Sequence, residues 1–374
     1  MHITNSRNFI GAAVIASALL APFAAGAAGI PIDEARGGIP TLAPILELRM
    51  PGVVSIAVQG TAQGQRNGQQ VQRQTQGAGS GVIVDAAKGY ILTNNHVVDG
   101  ANKITVGLSD GRVLDAKVLG RDDQTDIALV QVTADRLTAL PLGDSNSLRV
   151  GDFVIAIGNP FGLSQTVTSG IISALGRGNM GIEGYEDFIQ TDASINPGNS
   201  GGALIDMNGK LIGINTAIVG PSGGNIGIGF AVPVNMVRSV MDQLIAYGDV
   251  KRGRLGVGIA DISPATTGRN EATIGALITS IQPGSAAEQA GLAVNDVVVS
   301  FNGASVRDAR DLANRVGLVR VGGTAEVIVL RNGARKTFSV KVLDGQQANA
   351  ADPIVPRPAN YTGALAVTAP AGVI

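Results

Sequence analysis

Ser200 lies in Asn196-Pro197-Gly198-Asn199-Ser200-Gly201-Gly202-Ala203-Leu204, a stretch too rich in glycine for a helix or an ordinary strand. Such a turn can lift a serine oxygen clear of its backbone and direct several N–H groups toward one point. A nucleophilic serine needs both features: an accessible oxygen, and donors for the oxyanion that forms after attack. A plain glycine-rich hairpin turn would give the same string, so the rest of the chain must supply a base and an orienting acid. A base must titrate near neutrality, and the chain has two histidines, His2 and His96. His2 falls in a segment that reads as an export signal, which leaves His96. Asp126 stands directly before the apolar run Ile127-Ala128-Leu129-Val130, which would bury its base and dry a contact with imidazole. Asp122 and Asp123 compete for the same role. The candidates follow one another as His, Asp and Ser, an order used by one class of serine hydrolase.

Gly198-Asn199-Ser200-Gly201-Gly202 also fits the G-x-S-x-G pattern of α/β-hydrolases. That arrangement requires a histidine after the serine, and none follows Ser200. The absence of cysteine removes disulfides and cysteine-based metal sites or nucleophiles. With two histidines, a histidine-rich zinc site is disfavoured as well. No metal or cofactor is expected.

These residues must be positioned by short strands. Hydrophobic residues make up 45% and charged residues 15% of the 374, with 52 glycines and no Trp. That composition suits a globular chain of about two or three domains, rich in strands and tight turns. The net charge of −1 carries no global bias toward nucleic acid. Strand-like runs cover 53–58, 79–84, 90–93, 104–108, 113–119, 127–130, 153–157, 166–174, 211–218 and 226–232. Residues 60–77 are rich in Gln and Gly with almost nothing apolar, and predict a mobile loop. From 233 to 247 the period changes, and Val234, Val237, Val240, Met241, Leu244 and Ile245 share one helical face. Residues 254–343 alternate strands with helical stretches at 285–290 and 308–316.

At the N-terminus, Arg7 precedes an apolar core at 9–20, and Ala25-Gly26-Ala27 offers a cleavage site. An uncleaved anchor is the competing reading, because residues 9–30 carry no charge. Pro22 and the Ala/Gly-rich second half weaken such a span.

The strings TNNHVV, DIALV and NPGNSGGAL, with GNPFGLSQTVTSGIISALGR and GGNIGIGFAVP, resemble the HtrA (Deg) family of serine endoproteases, over roughly residues 39–343. The resemblance implies a mainly β chain: a two-barrel trypsin-like serine protease domain followed by an α+β PDZ domain. The divisions it implies are a signal peptide at 1–27, a docking segment at 28–52, the protease domain at 53–248, the PDZ domain at 252–343 and a Pro/Ala-rich tail at 345–374. Carried over by residue, His96 is the general base, Asp126 orients it and Ser200 attacks. Gly198, Asn199 and Ser200 form the oxyanion loop. Thr216, Ala217 and Ile218 resemble the strand that pairs with substrate, and Ile226, Gly227 and Ile228 the wall of the specificity pocket. Arg254, Leu255, Gly256, Val257 and Gly258 fit the PDZ carboxylate loop. Asn295 stands where the family usually has glycine, and asparagine tolerates the left-handed backbone that such a turn needs.

The function implied is ATP-independent degradation of unfolded or mislocalised envelope proteins in the periplasm. The family assembles as homotrimers or multiples of them, and its PDZ domains bind peptides with free apolar C-termini. Two other functions fit the same string: a membrane-tethered stress sensor that cuts one regulator, and a chaperone-like PDZ binding protein. A histidine base predicts hydrolysis that slows as the pH drops through the imidazole range. A pH–rate profile checks this, and a flat profile between about pH 5 and 8 would contradict it.

Overall fold

The computed structural model describes residues 32–33, 36–66, 69–160, 165–178, 180, 184–218, 225–262 and 274–344. The expected signal segment and the tail lie outside them. A short pairing of β1 (Ile32–Asp33) with β2 (Ile39–Pro40) leads into helix α1 (Ala43–Arg49). The helix packs Leu46 and Ile45 onto the main core.

Two six-stranded closed antiparallel barrels follow. The first contains β3 (Val53–Arg66), β4 (Gln69–Asp85), β5 (Tyr90–Thr93), β6 (Ala101–Gly107), β7 (Val113–Asp122) and β8 (Ile127–Gln131), in the order β3-β4-β5-β8-β7-β6. A single helical turn, α2 (Asn95–Val98), leaves the end of β5. The second contains β9 (Phe153–Gly158), β10 (Thr166–Arg177), β11 (Phe188–Thr191), β12 (Ala203–Asp206), β13 (Leu211–Ile218) and β14 (Gly229–Pro233), in the order β10-β11-β14-β13-β12-β9.

The apolar runs at β8 and β9 do not alternate with polar residues because both faces of these strands are covered. Ala128 and Val130 fill the first barrel, while Ile127 and Leu129 face the core shared between barrels. On β9, Val154 and Ala156 fill the second barrel, while Ile155 and Ile157 join the shared core. Successive strand side chains point to opposite faces, so one strand serves two cores. Helix α3 (Val234–Tyr247) closes the shared core with Val234, Val237, Val240 and Leu244, and Gly248 ends it with φ +72°. Met236 is buried on this helix, whereas Ile245, expected on the buried face, is 41% exposed.

Of residues 60–77, expected as a mobile loop, 60–66 and 69–77 are instead the outer parts of strands β3 and β4, in register from Gly60 opposite Thr75 to Arg66 opposite Gln69. A two-stranded ribbon is joined by backbone hydrogen bonds and needs no apolar face to pair. Composition could not reveal it. The expected strand at 226–232 begins only at Gly229.

The C-terminal unit opens with β15 (Gly253–Arg254), β16 (Val257–Asp261), β17 (Ala276–Ile281), helix α4 (Ala286–Gln289), β18 (Val297–Phe301) and β19 (Ala304–Ser305). Helix α5 (Ala309–Leu318), β20 (Thr324–Arg331), β21 (Ala334–Lys341) and β22 (Leu343–Asp344) complete it. Its main sheet runs β16-β17-β18-β20-β21, with β16 at one edge among the described residues. Both helices start on caps: Ser285 accepts from Glu288 N–H, and Asp308 from Asp311 N–H. Asn295 adopts φ +73°, the left-handed conformation the turn requires.

Phe188 is 1% exposed in the shared core and meets Phe230 with ring centroids 5.9 Å apart. Phe188→Ala should lower stability by about 3–5 kcal/mol. Chemical denaturation monitored by circular dichroism measures this directly.

Candidate active site

Asp126 closes the turn between β7 and β8 and is 2% exposed. Its φ of +56° is an unusual conformation for a residue with a side chain, and persists only where the surroundings hold it. Here they do. Its carbonyl accepts from Asn94 Nδ2 and from Asn95 N–H, each at 3.0 Å. Its carboxylate accepts from His96 N–H at 2.9 Å through Oδ1, and meets His96 Nδ1 at 2.8 Å through Oδ2. A carboxylate only accepts, so Nδ1 carries the hydrogen and Nε2 keeps its lone pair. The imidazole itself is half exposed. A dry carboxylate behind a half-exposed ring is the geometry of an oriented base.

The competing acids go elsewhere. Asp122 is buried against Thr125 Oγ1 and Arg252, and Asp123 is exposed.

Thr216 supplies a contact that the residue types alone did not suggest. Along β13 and β14, Asn215 faces Ala231 and Ala217 faces Phe230, so Thr216 falls in a bulge. Bulges re-aim side chains. Thr216 Oγ1 donates to Asp126 Oδ2 at 2.6 Å, and Ser200 Oγ donates to Thr216 O at 3.3 Å. His96, Asp126, Thr216 and Ser200 are thereby joined by one chain of hydrogen bonds that crosses from the first barrel to the second. Thr216 was expected only on a substrate-pairing strand. No local pattern marks a bulge, so its bond to the acid was unreadable. Ala217 and Ile218 continue β13 opposite Phe230 and Gly229.

The loop carrying Ser200 is folded by its own backbone. Asn199 N–H donates to Asn196 O at 2.9 Å, Gly202 N–H to Asn199 O at 2.9 Å, and Gly201 N–H to Asn215 O at 2.8 Å. Gly198 has φ +97°, and a Cβ there would lie 2.4 Å from Pro160 Cβ. Gly201 has φ +81°, and a Cβ there would lie 2.1 Å from Ser80 O. Both positions require glycine. Asn199, expected in the same loop, lies between Gly198 and Ser200 and is held on both its backbone and its side chain. Its N–H is taken by Asn196, and its side chain is 2% exposed and pressed against Gly158. Among the described residues no backbone acceptor takes the N–H of Gly198 or Ser200.

Beside the loop, Ile226 is 57% exposed, and Gly227 N–H donates to Asn225 Oδ1 at 2.6 Å. Asn225 Nδ2 in turn donates to Ile195 O at 3.0 Å. Ile195 is 1% exposed and abuts Gly229. Asn225 and Ile195 therefore fix the 225–228 turn that carries Ile226 and Ile228, a support the residue types did not announce. Among the described residues no group of His, Asp and Glu could hold a metal ion.

In the second unit Leu255 is 3% exposed within the core, so in the 254–258 loop it can offer only backbone. Its carbonyl accepts from Ala287 N–H at 2.9 Å. Gly256 has φ +74° and leads into the edge strand β16, which carries Val257 and Gly258.

The trypsin-like peptidase domain family matches residues 79–214, and the PDZ domain family matches 253–342. The periplasmic pH-dependent serine endoprotease DegQ of Escherichia coli (strain K12) is 48% identical over 320 residues, covering 81% of this chain and 70% of that protein. The periplasmic serine endoprotease DegP of the same strain is 44% identical over 367 residues, covering 88% and 77%. Among solved structures, the HtrA-type protease AlgW with tripeptide is 41% identical with a TM-score of 0.65, covering 84% of this chain and 100% of that one. Two barrels that meet over a His–Asp–Thr–Ser chain of hydrogen bonds, a PDZ domain behind them, and relatives of this identity and span place the chain in the HtrA (Deg) family of serine endoproteases.

Proposed function

We propose that the enzyme cleaves unfolded or mislocalised proteins of the periplasm, without ATP, through an acyl-enzyme formed on Ser200. The observation that carries this reading is the hydrogen-bonded chain from His96 to Ser200, with the N–H groups of Gly198 and Ser200 taken by no backbone acceptor among the described residues. Ser200 Oγ attacks the scissile carbonyl while His96 Nε2 takes its proton. Asp126 holds the ring and stabilises the imidazolium. The carbonyl oxygen, now negative, is received by Gly198 N–H and Ser200 N–H. His96 then protonates the departing amine, and a water molecule, deprotonated by the same nitrogen, releases the acyl group. The 225–228 turn carries Ile226 and Ile228 with no acid. This favours small or medium aliphatic side chains before the cut over Lys or Arg.

The PDZ domain receives peptides with free apolar C-termini. Edge strand β16 is available to pair with an added strand, and the 254–258 loop has backbone N–H groups for a terminal carboxylate. The domain is also tied to the protease. Arg307 pairs with Asp187, Arg310 with Glu186 at 3.8 Å, and Asn314 Nδ2 donates to Glu186 O at 2.8 Å. Burial pushes the Asp187 carboxyl above its usual range despite Arg307. Burial works against the charge on Arg307 too, yet Asp187 and Asp311 hold its pKa above the ordinary value. Helix α5 thus bears on a loop of the second barrel, a route by which a bound peptide would adjust proteolysis. Phe153 and Val150 are 58% and 63% exposed, apolar surface that assembly into trimers would cover. Periplasmic location is supported by the named relatives and by the N-terminal sequence.

Ser200→Ala should reduce turnover of an unfolded reporter protein by about 10⁴–10⁶-fold while leaving reporter binding intact. Equal reporter loss in both proteins would contradict the reading, and binding without any turnover in the wild type would make the chain a holdase. Thr216→Val removes a donor to a buried carboxylate, a bond worth about 1.5–3 kcal/mol, so kcat should fall about ten- to hundredfold. Steady-state kinetics on a short aliphatic peptide test it.

A further inference from the structure

Strand β4 of the first barrel carries a serine with no place in the chemistry above. Ser80 has no exposed surface, and all its polar atoms are engaged with the machinery around Ser200. Its N–H donates to Ser200 O at 2.8 Å. Its carbonyl accepts from Thr93 Oγ1 at 2.7 Å, on the strand that leads to His96. Its hydroxyl donates to Gly198 O at 2.6 Å and accepts from Asn159 N–H at 2.7 Å.

The pattern of peptide units explains what this achieves. The unit joining Gly198 to Asn199 is held at its oxygen by the Ser80 hydroxyl and at its nitrogen by Asn196 O. The unit joining Ser200 to Gly201 is held at its oxygen by Ser80 N–H and at its nitrogen by Asn215 O. The two remaining units, which carry the N–H groups of Gly198 and Ser200, alternate with these. Among the described residues no backbone acceptor takes those two N–H groups. Gly198 has a left-handed φ and no side chain, so its own sterics restrain the neighbouring peptides weakly. The restraint on its carbonyl comes from Ser80.

We propose that Ser80 is the positioning residue of the oxyanion hole: from the first barrel it clamps the two alternate peptide units of the second barrel's nucleophile loop, so that Gly198 N–H and Ser200 N–H converge. It rests on the assignment of Ser200 as nucleophile. Ser80 touches neither substrate nor the transferred proton. Its effect is confined to how well the hole fits a tetrahedral oxyanion. Losing one donor outright costs about 10²–10³ in rate, so loosening the pair should cost less, about ten- to hundredfold.

Wild type, Ser80→Ala and Ser80→Cys should be compared by steady-state kinetics, by affinity for a peptide boronic acid, and by labelling with a fluorophosphonate. Thermal unfolding accompanies each. The expected result is a kcat lower by about ten- to hundredfold in Ser80→Ala with KM within about twofold. Boronate affinity should fall by the same factor as kcat/KM, because the boronate adduct places its oxygen in the hole. The midpoint of the pH–rate profile should not move, since His96 and Asp126 are untouched. Cysteine, with the same shape and a weaker donor, should lie between alanine and serine. Should Ser80→Ala not fold, the same ratio measured on Ser80→Cys decides. A kcat/KM within about twofold of wild type, or a loss matched by a lower unfolding temperature with boronate affinity unchanged, would overturn the proposal. Failure of the fluorophosphonate to label Ser200 in the wild type would instead remove the underlying nucleophile assignment.

Discussion

A carboxylate sealed from water has to be satisfied by its neighbours, and Asp126 organises much of the catalytic cleft on that account. Burying a charge without partners costs several kcal/mol. Asp126 finds three donors: the His96 backbone, the His96 ring and the Thr216 hydroxyl. Each comes from a different requirement of the fold. The helical turn α2 presents the backbone N–H, the side chain of the same turn presents Nδ1, and the β13 bulge presents Thr216. Because Thr216 also holds Ser200 through its carbonyl, satisfying one buried acid draws both barrels to the same point. The positive φ of Asp126 is held in place by the bonds that Asn94 and Asn95 make to its carbonyl.

The barrels can carry such a site because they share a core. Ile127 and Leu129 from one barrel, and Ile155, Ile157 and Phe188 from the other, form a single apolar cluster closed by helix α3. The residues proposed for catalysis lie on segments that leave the ends of buried strands. His96 follows β5, Asp126 precedes β8 and Ser200 precedes β12. Close packing of these strands limits the freedom of the loops between them. The loop that carries Ser200, with glycines at 198, 201 and 202, needs that outside support.

The PDZ domain meets the protease through charged and polar contacts and through Leu318, which packs against the shared core. Arg307, just before helix α5, pairs with Asp187 and Arg310 within it with Glu186, and Arg252 lies over the Tyr185 ring at 4.3 Å while pairing with Asp122. Interfaces within a chain that are this polar resemble transient contacts between proteins. Such a joint suits a domain whose position has to respond to a ligand.

The chain by itself determined the chemical cast and the class of fold. His96 could be nominated as the one histidine outside the expected export signal and Ser200 from its glycine-rich surroundings, and the β-rich architecture was legible from glycine, turns and apolar runs. The helix at α3 was legible from its period. What the linear string left open was everything that depends on contacts between distant segments. Asp122, Asp123 and Asp126 are near neighbours of one type, and only packing shows which of them meets the imidazole. The Gln-rich stretch carried no apolar signal, since backbone pairing in a ribbon requires none. Asn199 sits beside the nucleophile in sequence, yet its own turn takes its N–H away from the hole. Thr216 and Ser80 look like ordinary strand residues until a bulge and a neighbouring barrel give them partners. Composition and periodicity record what each residue can do and which face it favours. Hydrogen bonds between segments about a hundred residues apart depend on how two closed barrels are set against each other, and that information exists only once the chain is folded.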